Sequence, residues 1–198
     1  MPAILPLLCL LIVLAGCAGQ QQQVSGSQGW KQHSTQMHQF THWRATGKLA
    51  VRTPAEAESA SLVWVQDANT TSLSLSGPLG MGAVTVESDG RYLQVSNQDE
   101  TSRWDISAPG AIAQSTGWDL PLQSLPHWLK GIPAPGVEVQ SAVVEGDLLR
   151  SLQQDGWQLI FQRYQQFGEF TLPTRLSIER GSTNARIILR QWDALESL

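Results

Sequence analysis

The sequence predicts a mainly β, single-domain fold: a strongly curved antiparallel sheet or barrel carrying one helical insert. Three observations predict it. About ten short segments alternate apolar and polar residues with period two. Asp-Gly, Asn and Ser turn signals separate them. One stretch, 108–131, breaks the alternation with Pro109, Pro121 and Pro126 before strands resume. No internal repeat and no second domain is visible in the pattern.

The chain opens on an almost unbroken apolar run, 3–15, ending in Leu14-Ala15-Gly16-Cys17. That run falls short of the ~20 residues a bilayer-spanning helix needs. An apolar h-region followed by small residues and a Cys reads instead as a lipoprotein signal, with 1–16 removed and Cys17 lipidated. At about 0.8 kcal/mol per buried CH₂, two or three acyl chains hold such a protein on its membrane. Ala18 stands where an Asp would resemble an inner-membrane retention signal in enteric bacteria, so outer-membrane delivery is expected. One departure is an n-region without Lys or Arg, the first being Lys31. Residues 17–29, with Gln20 to Gln23 at their centre, have the polar uncharged composition of a flexible tether, which leaves 30–198 as the folded domain.

Ordered structure is expected from Trp30, with Trp30, Met37 and Phe40 at helical intervals. Residues 43–53 place Trp43, Ala45, Gly47, Leu49 and Val51 on one face of a strand. Segments 59–66, 71–76, 83–87, 91–96 and 101–106 continue the meander through turns at 67–69, 89–90 and 97–99. In the insert, Leu122, Leu125, Trp128 and Leu129 have helical spacing, and prolines at 121 and 126 are tolerable in a first turn. The insert is either a lid or a plug for the core. Strands resume at 137–144, 149–153, 157–164, 175–179 and 185–192.

Composition narrows the chemistry. With Cys9 in the leader and Cys17 lipidated, the mature domain has neither disulfide nor free thiol. The 13 basic and 17 acidic residues form no run of either sign, so nucleic acid is not an expected partner. His38 and His42 stand four apart, the spacing of two ligands on one helix face, yet no acidic or Cys residue completes a metal site. His33 and His127 lack triad partners, and no Gly-x-Ser-x-Gly elbow occurs. The glycines around Pro78 precede a strand, where a phosphate loop must open a helix. No catalytic, metal or cofactor site is therefore expected. Pro78-Leu79-Gly80-Met81 puts two large apolar side chains at a hairpin tip, where they either fold back into the core or meet a membrane or partner. Their burial is the simpler outcome for the fold taken alone.

These parts in this order resemble the LolB family of outer-membrane lipoprotein receptors. The resemblance is carried by the lipobox, the Trp30 helix, Trp64-Val65-Gln66, Gly77-Pro78-Leu79-Gly80, the insert from Trp118 to Gly131, Gly156-Trp157 and Trp192. Gly77 stands where the family can have Asn. The resemblance implies an unclosed antiparallel β-barrel of ten or eleven strands with a helical lid and an apolar cavity. It also implies a monomer that takes acylated lipoproteins from the periplasmic carrier LolA and releases them among outer-membrane lipids. Leu79 matches the family's protruding Leu, with Pro78 and Gly80 completing that loop. Leu49, Trp64, Leu125, Trp128 and Trp157 are the candidate cavity residues, ordinary core packing being their alternative role. A subunit of another envelope assembly complex, or a hydrolase whose residues converge only in space, are the competing functions. A filled, closed barrel favours the former; the anchor at Cys17 disfavours the soluble carrier itself.

Overall fold

The computed structural model describes residues 26–54, 57–77, 82–107 and 121–196. Helix α1, Gln28–Gln39, begins two residues ahead of Trp30 because Ser27 caps it. Its Oγ accepts from the Trp30 amide at 3.0 Å. The same hydroxyl donates to Asp147 Oδ1 at 2.6 Å, so the cap also pins the helix to a distant hairpin. Trp30, His33 and Met37, spaced three and four apart, form the buried stripe.

Eleven strands follow among the described residues, most of them built on period-two alternation. They are β1 (His42–Arg52), β2 (Ala57–Asp67), β3 (Thr70–Ser76), β4 (Val84–Ser88), β5 (Tyr92–Ser96) and β6 (Thr101–Asp105). After helix α2 (Leu125–Leu129) come β7 (Val139–Glu145), β8 (Leu148–Gln154), β9 (Trp157–Phe167), β10 (Phe170–Arg180) and β11 (Thr183–Ala194). They form one antiparallel sheet in the order β6-β5-β4-β3-β2-β1-β11-β10-β9-β8-β7. Consecutive strands are neighbours except β6 and β7, and one non-consecutive pair is joined. β1 and β11 pair at the centre, from Trp43↔Ala194 to Arg52↔Asn184. β6 and β7 lie on opposite edges, so the barrel is unclosed.

Two features bend this sheet. The β1–β11 register shifts between Thr46 and Gly47, leaving one extra residue on β11. The backbones approach so closely there that a Cβ on Gly47 would lie 1.9 Å from the Ile188 carbonyl oxygen. At the β8–β9 hairpin, Asp155 (φ 53°) and Gly156 (φ 71°) give the two-residue turn its left-handed conformation.

β10 differs most from expectation, starting at Phe170 where the sequence suggested 175. Pro173 reads as a strand breaker, but β11 pairs with β10 only from Arg175 onward, so the missing N–H interrupts no central ladder. Tryptophan completes the arrangement: the Trp192 indole donates to the Pro173 carbonyl at 3.1 Å.

Gly47→Ala should cost about 1–3 kcal/mol, because the new methyl meets backbone that the central ladder holds in place. Urea unfolding followed by Trp fluorescence checks this; an unchanged midpoint would show that the seam can open without loss.

Candidate functional site

The inward-facing residues of all eleven strands make one apolar concave surface. Cross-strand rows follow from the register, such as Phe161–Leu176–Ile187–Leu49–Ala60 across β9, β10, β11, β1 and β2. At one end this surface is filled. Trp30, Met37 and Phe40 from α1 and Trp128, Leu129 and Ile132 from the insert are all buried against it. Along β1 and β3 to β6 the described residues leave it partly open: Leu49, Leu75, Val84, Val95 and Trp104 pack on the core yet remain half-buried.

Two buried polar side chains lock the filled end. Gln154, fully buried on β8, accepts from Trp128 Nε1 at 2.8 Å and from the Ala134 amide at 2.9 Å. Its amide nitrogen donates to the Ala134 and Val137 carbonyls, each at 2.9 Å. All its hydrogen-bonding capacity thus goes into holding the insert. Lys130 Nζ donates to the Met37 and Phe40 carbonyls at 2.6 and 2.8 Å, closing the C-terminus of α1 with a cation. Burial lowers its pKa to about 8. The neutral amine keeps two N–H groups, enough for both carbonyls. Nearby His127 is pushed down to about 4 by burial first and then by Lys130 and His38, so it is neutral above that pH.

The candidate cavity residues fall into separate neighbourhoods. Trp64 stacks on Trp43 at 6.2 Å and Trp43 meets Trp192 at 5.0 Å, forming one cluster under α1. Trp128 and Trp157 form another at 6.4 Å. All three predicted tryptophans are buried. Leu49 and Leu125 are half-buried on the core margin. Sequence reasoning missed Trp43 and Trp192, although both hold inward positions on alternating strands. The insert's helix is packed as a plug from Leu125 to Leu129; its earlier part, 108–120, lies outside the described residues. So do Cys17, Pro78, Leu79 and Gly80.

The histidine pair separates. His38 ends α1 and approaches the Ser34 carbonyl at 2.7 Å, whereas His42 starts β1 and lies 3.1 Å from Asp67. A change from helix to strand between them removes the shared face. Among the described residues no group of three His, Cys, Asp or Glu converges on a metal position. Two clefts are present. One, of about 500 Å³ at the β1–β2–β11 rim, is lined by Ala50, Val51 and Ala57 together with Arg52, Glu58, Asn184 and Arg186. The other, of about 340 Å³, is aromatic, bounded by Phe40, Phe167, Phe170 and Trp192.

The chain is thus an open antiparallel sheet wrapped on a helix, apolar inside and unclosed at its edges, a class of fold that solved structures share. A LolA superfamily protein from Nitrosomonas europaea superposes with a TM-score of 0.51 over 85% of this chain and 92% of its own, at 8% identity. A DUF1329 family protein from Desulfovibrio piger gives 0.57 over 86% and 93%, at 12% identity. Within that class the model of the family described as outer membrane lipoprotein LolB matches residues 41–192. The outer-membrane lipoprotein LolB of Stutzerimonas stutzeri is 32% identical over 93% of this chain and 92% of its own length. That of Pseudomonas putida is 32% identical over 92% of each. The chain belongs to the LolB family, and its place is the outer membrane, held there by lipid.

Two substitutions test the locked end. Gln154→Ala should cost at least about 3 kcal/mol, since it strands an indole, an amide and two carbonyls away from water; chemical denaturation measures it. Lys130 supplies the pH dependence. Its folded pKa is about 8 against 10.5 for the free side chain, so between these values the unfolded chain binds more protons and stability rises with pH. Lys130→Met should be less stable and lack that rise. Parallel slopes for both proteins from pH 8 to 10 would contradict it.

Proposed function

We propose that this chain, as a LolB family member, accepts acylated lipoproteins from the soluble periplasmic carrier LolA on its concave surface and releases them into the outer membrane. The observation that carries this reading is the set of apolar residues Leu49, Leu75, Val84, Val95 and Trp104 on β1 and β3 to β6, which pack on the core yet stay half-buried among the described residues. Water gains nothing from such a surface, whereas an alkyl chain does: about 0.8 kcal/mol per CH₂ buried, or on the order of 10 kcal/mol for one long chain. Leu49 and Leu125 meet the acyl chains first. Trp64, Trp128 and Trp157 form the floor beneath them. The Trp157 indole N–H has no acceptor among the described residues. Transfer between carrier and receptor is then a passage between two apolar surfaces, and about 1.4 kcal/mol of preference gives a tenfold bias without nucleotide. Cys17 carries the lipid that holds the domain where cargo finishes. Pro78-Leu79-Gly80 is the loop that touches the bilayer as cargo leaves. No reaction chemistry is assigned to the chain.

A carrier-bound lipoprotein mixed with the purified protein should lose its cargo to it. Leu49→Glu should reduce that acceptance at least about tenfold, a 1.4 kcal/mol effect, with the fold retained by circular dichroism. Undiminished acceptance would remove Leu49 from the path. Leu79→Glu should accept cargo normally and fail to deliver it to liposomes; delivery at the wild-type rate would leave the loop without a membrane role.

A further inference from the structure

The 13 basic residues form no run in the sequence, but the sheet gathers seven of them on one convex quadrant. The register of β1, β11, β10 and β9 aligns Lys48, Ile188, Arg175 and Arg163 in one outward row. The next row holds Arg186 and Ile160 on either side of Ser177. Arg44 and Arg52 extend the patch along β1, and Arg190 occupies the bulged position of β11. All seven are exposed, and none forms an ion pair among the described residues. The carboxylates at this quadrant's margins are Asp193 and Glu179, to which Gln191 and Asn184 donate, and Glu58 of β2, which lines the same rim cleft as Arg52 and Arg186. Between the cations, Ile160 and Ile188 are 43% and 37% exposed. The whole chain is at −4, so this face opposes the charge of the rest.

We propose that the convex face of β9, β10, β11 and β1 docks on an anionic phospholipid surface. Lys and Arg side chains around exposed aliphatic residues suit a bilayer interface, where the stems contact lipid and the heads reach phosphate. The membrane is within reach. The chain enters the domain at Ser27, which is held to Gly146 and Asp147 on the β7–β8 hairpin, beside this quadrant in the sheet. About ten residues lie between Cys17 and that point, at most ~35 Å when extended. The inference rests on lipid anchorage and is independent of cargo transfer.

The full-length lipidated protein is reconstituted in phosphatidylcholine vesicles with and without phosphatidylglycerol. An environment-sensitive dye is placed at Ile160→Cys, with Ser74→Cys on the outward face of β3 as control. The dye at 160 should shift to the blue only with phosphatidylglycerol, and the shift should vanish in about 1 M NaCl, where the Debye length is about 3 Å. The dye at 74 should not move. Lys48→Glu with Arg175→Glu and Arg186→Glu should abolish the shift; should that variant not fold, salt on the unreversed protein decides the same point. Equal emission in both vesicles overturns the proposal. So does a shift that appears only when an acidic protein is added, which would make this a protein-docking face.

Discussion

The pairing of β1 with β11 is the constraint on which everything else depends. The eleven strands could form as two independent meanders from local hairpins, β1 to β6 and β7 to β11, but neither meander alone encloses an apolar surface. Joining them through the first and last strands converts two open ribbons into one curved sheet whose inner faces look at each other. The contact closes a loop of more than a hundred residues, an entropic cost that grows only slowly with length but must be met before the core forms. It also explains why Gly47 sits at the seam: the bend that gives the sheet its concavity brings two backbones too close for any side chain.

Once the seam exists, its hollow must be filled at one end and left partly open along β1 and β3 to β6. Aromatic area does the filling, and polar side chains decide the register of the filling. Gln154 and Lys130 are both nearly inaccessible, and each satisfies backbone groups belonging to a different element. Buried polar groups of this kind are costly when half-satisfied and specifying when complete. Here Gln154 fixes the insert to β8, and Lys130 fixes the insert to the end of α1. The plug is therefore held from two sides. The half-buried set on β1 and β3 to β6 stays apolar because no element among the described residues supplies it with a comparable polar partner.

Much of this was legible in the sequence because period-two alternation survives in strands such as β1 and β11, from Trp43-Ala45-Gly47 to Ile187-Leu189. Where the pattern is interrupted by a residue with a strong local meaning, the reading fails. Pro173 hides the first half of β10, since nothing local tells that β11 is not yet alongside. Gln154 and Lys130 drew no reading at all, because the sequence holds no trace of the carbonyls they meet. The tryptophans at 64, 128 and 157 were recognisable as inward-facing, but their division into two clusters depends on strand order. The basic quadrant was invisible for the same reason. Arg44, Lys48 and Arg52 share a face of one strand, Arg190 occupies a bulge in another that also carries Arg186, and only cross-strand register makes them neighbours.

That register also separates two surfaces with opposite demands on solvent. The inner face concentrates apolar area that the described residues leave partly open, and such a surface invites aggregation in a freely diffusing protein. Tethering changes the consequence. A domain held within a short linker of a bilayer meets lipid at an effective concentration far above that of other proteins in solution, so its exposed apolar margin encounters acyl chains first. Orientation then becomes the remaining variable, because anchorage at one point limits distance without fixing rotation. A convex face of one charge sign, set against a domain of the other, is the simplest device by which a single sheet can resolve it: the same alternation that points leucine and tryptophan inward points lysine and arginine outward.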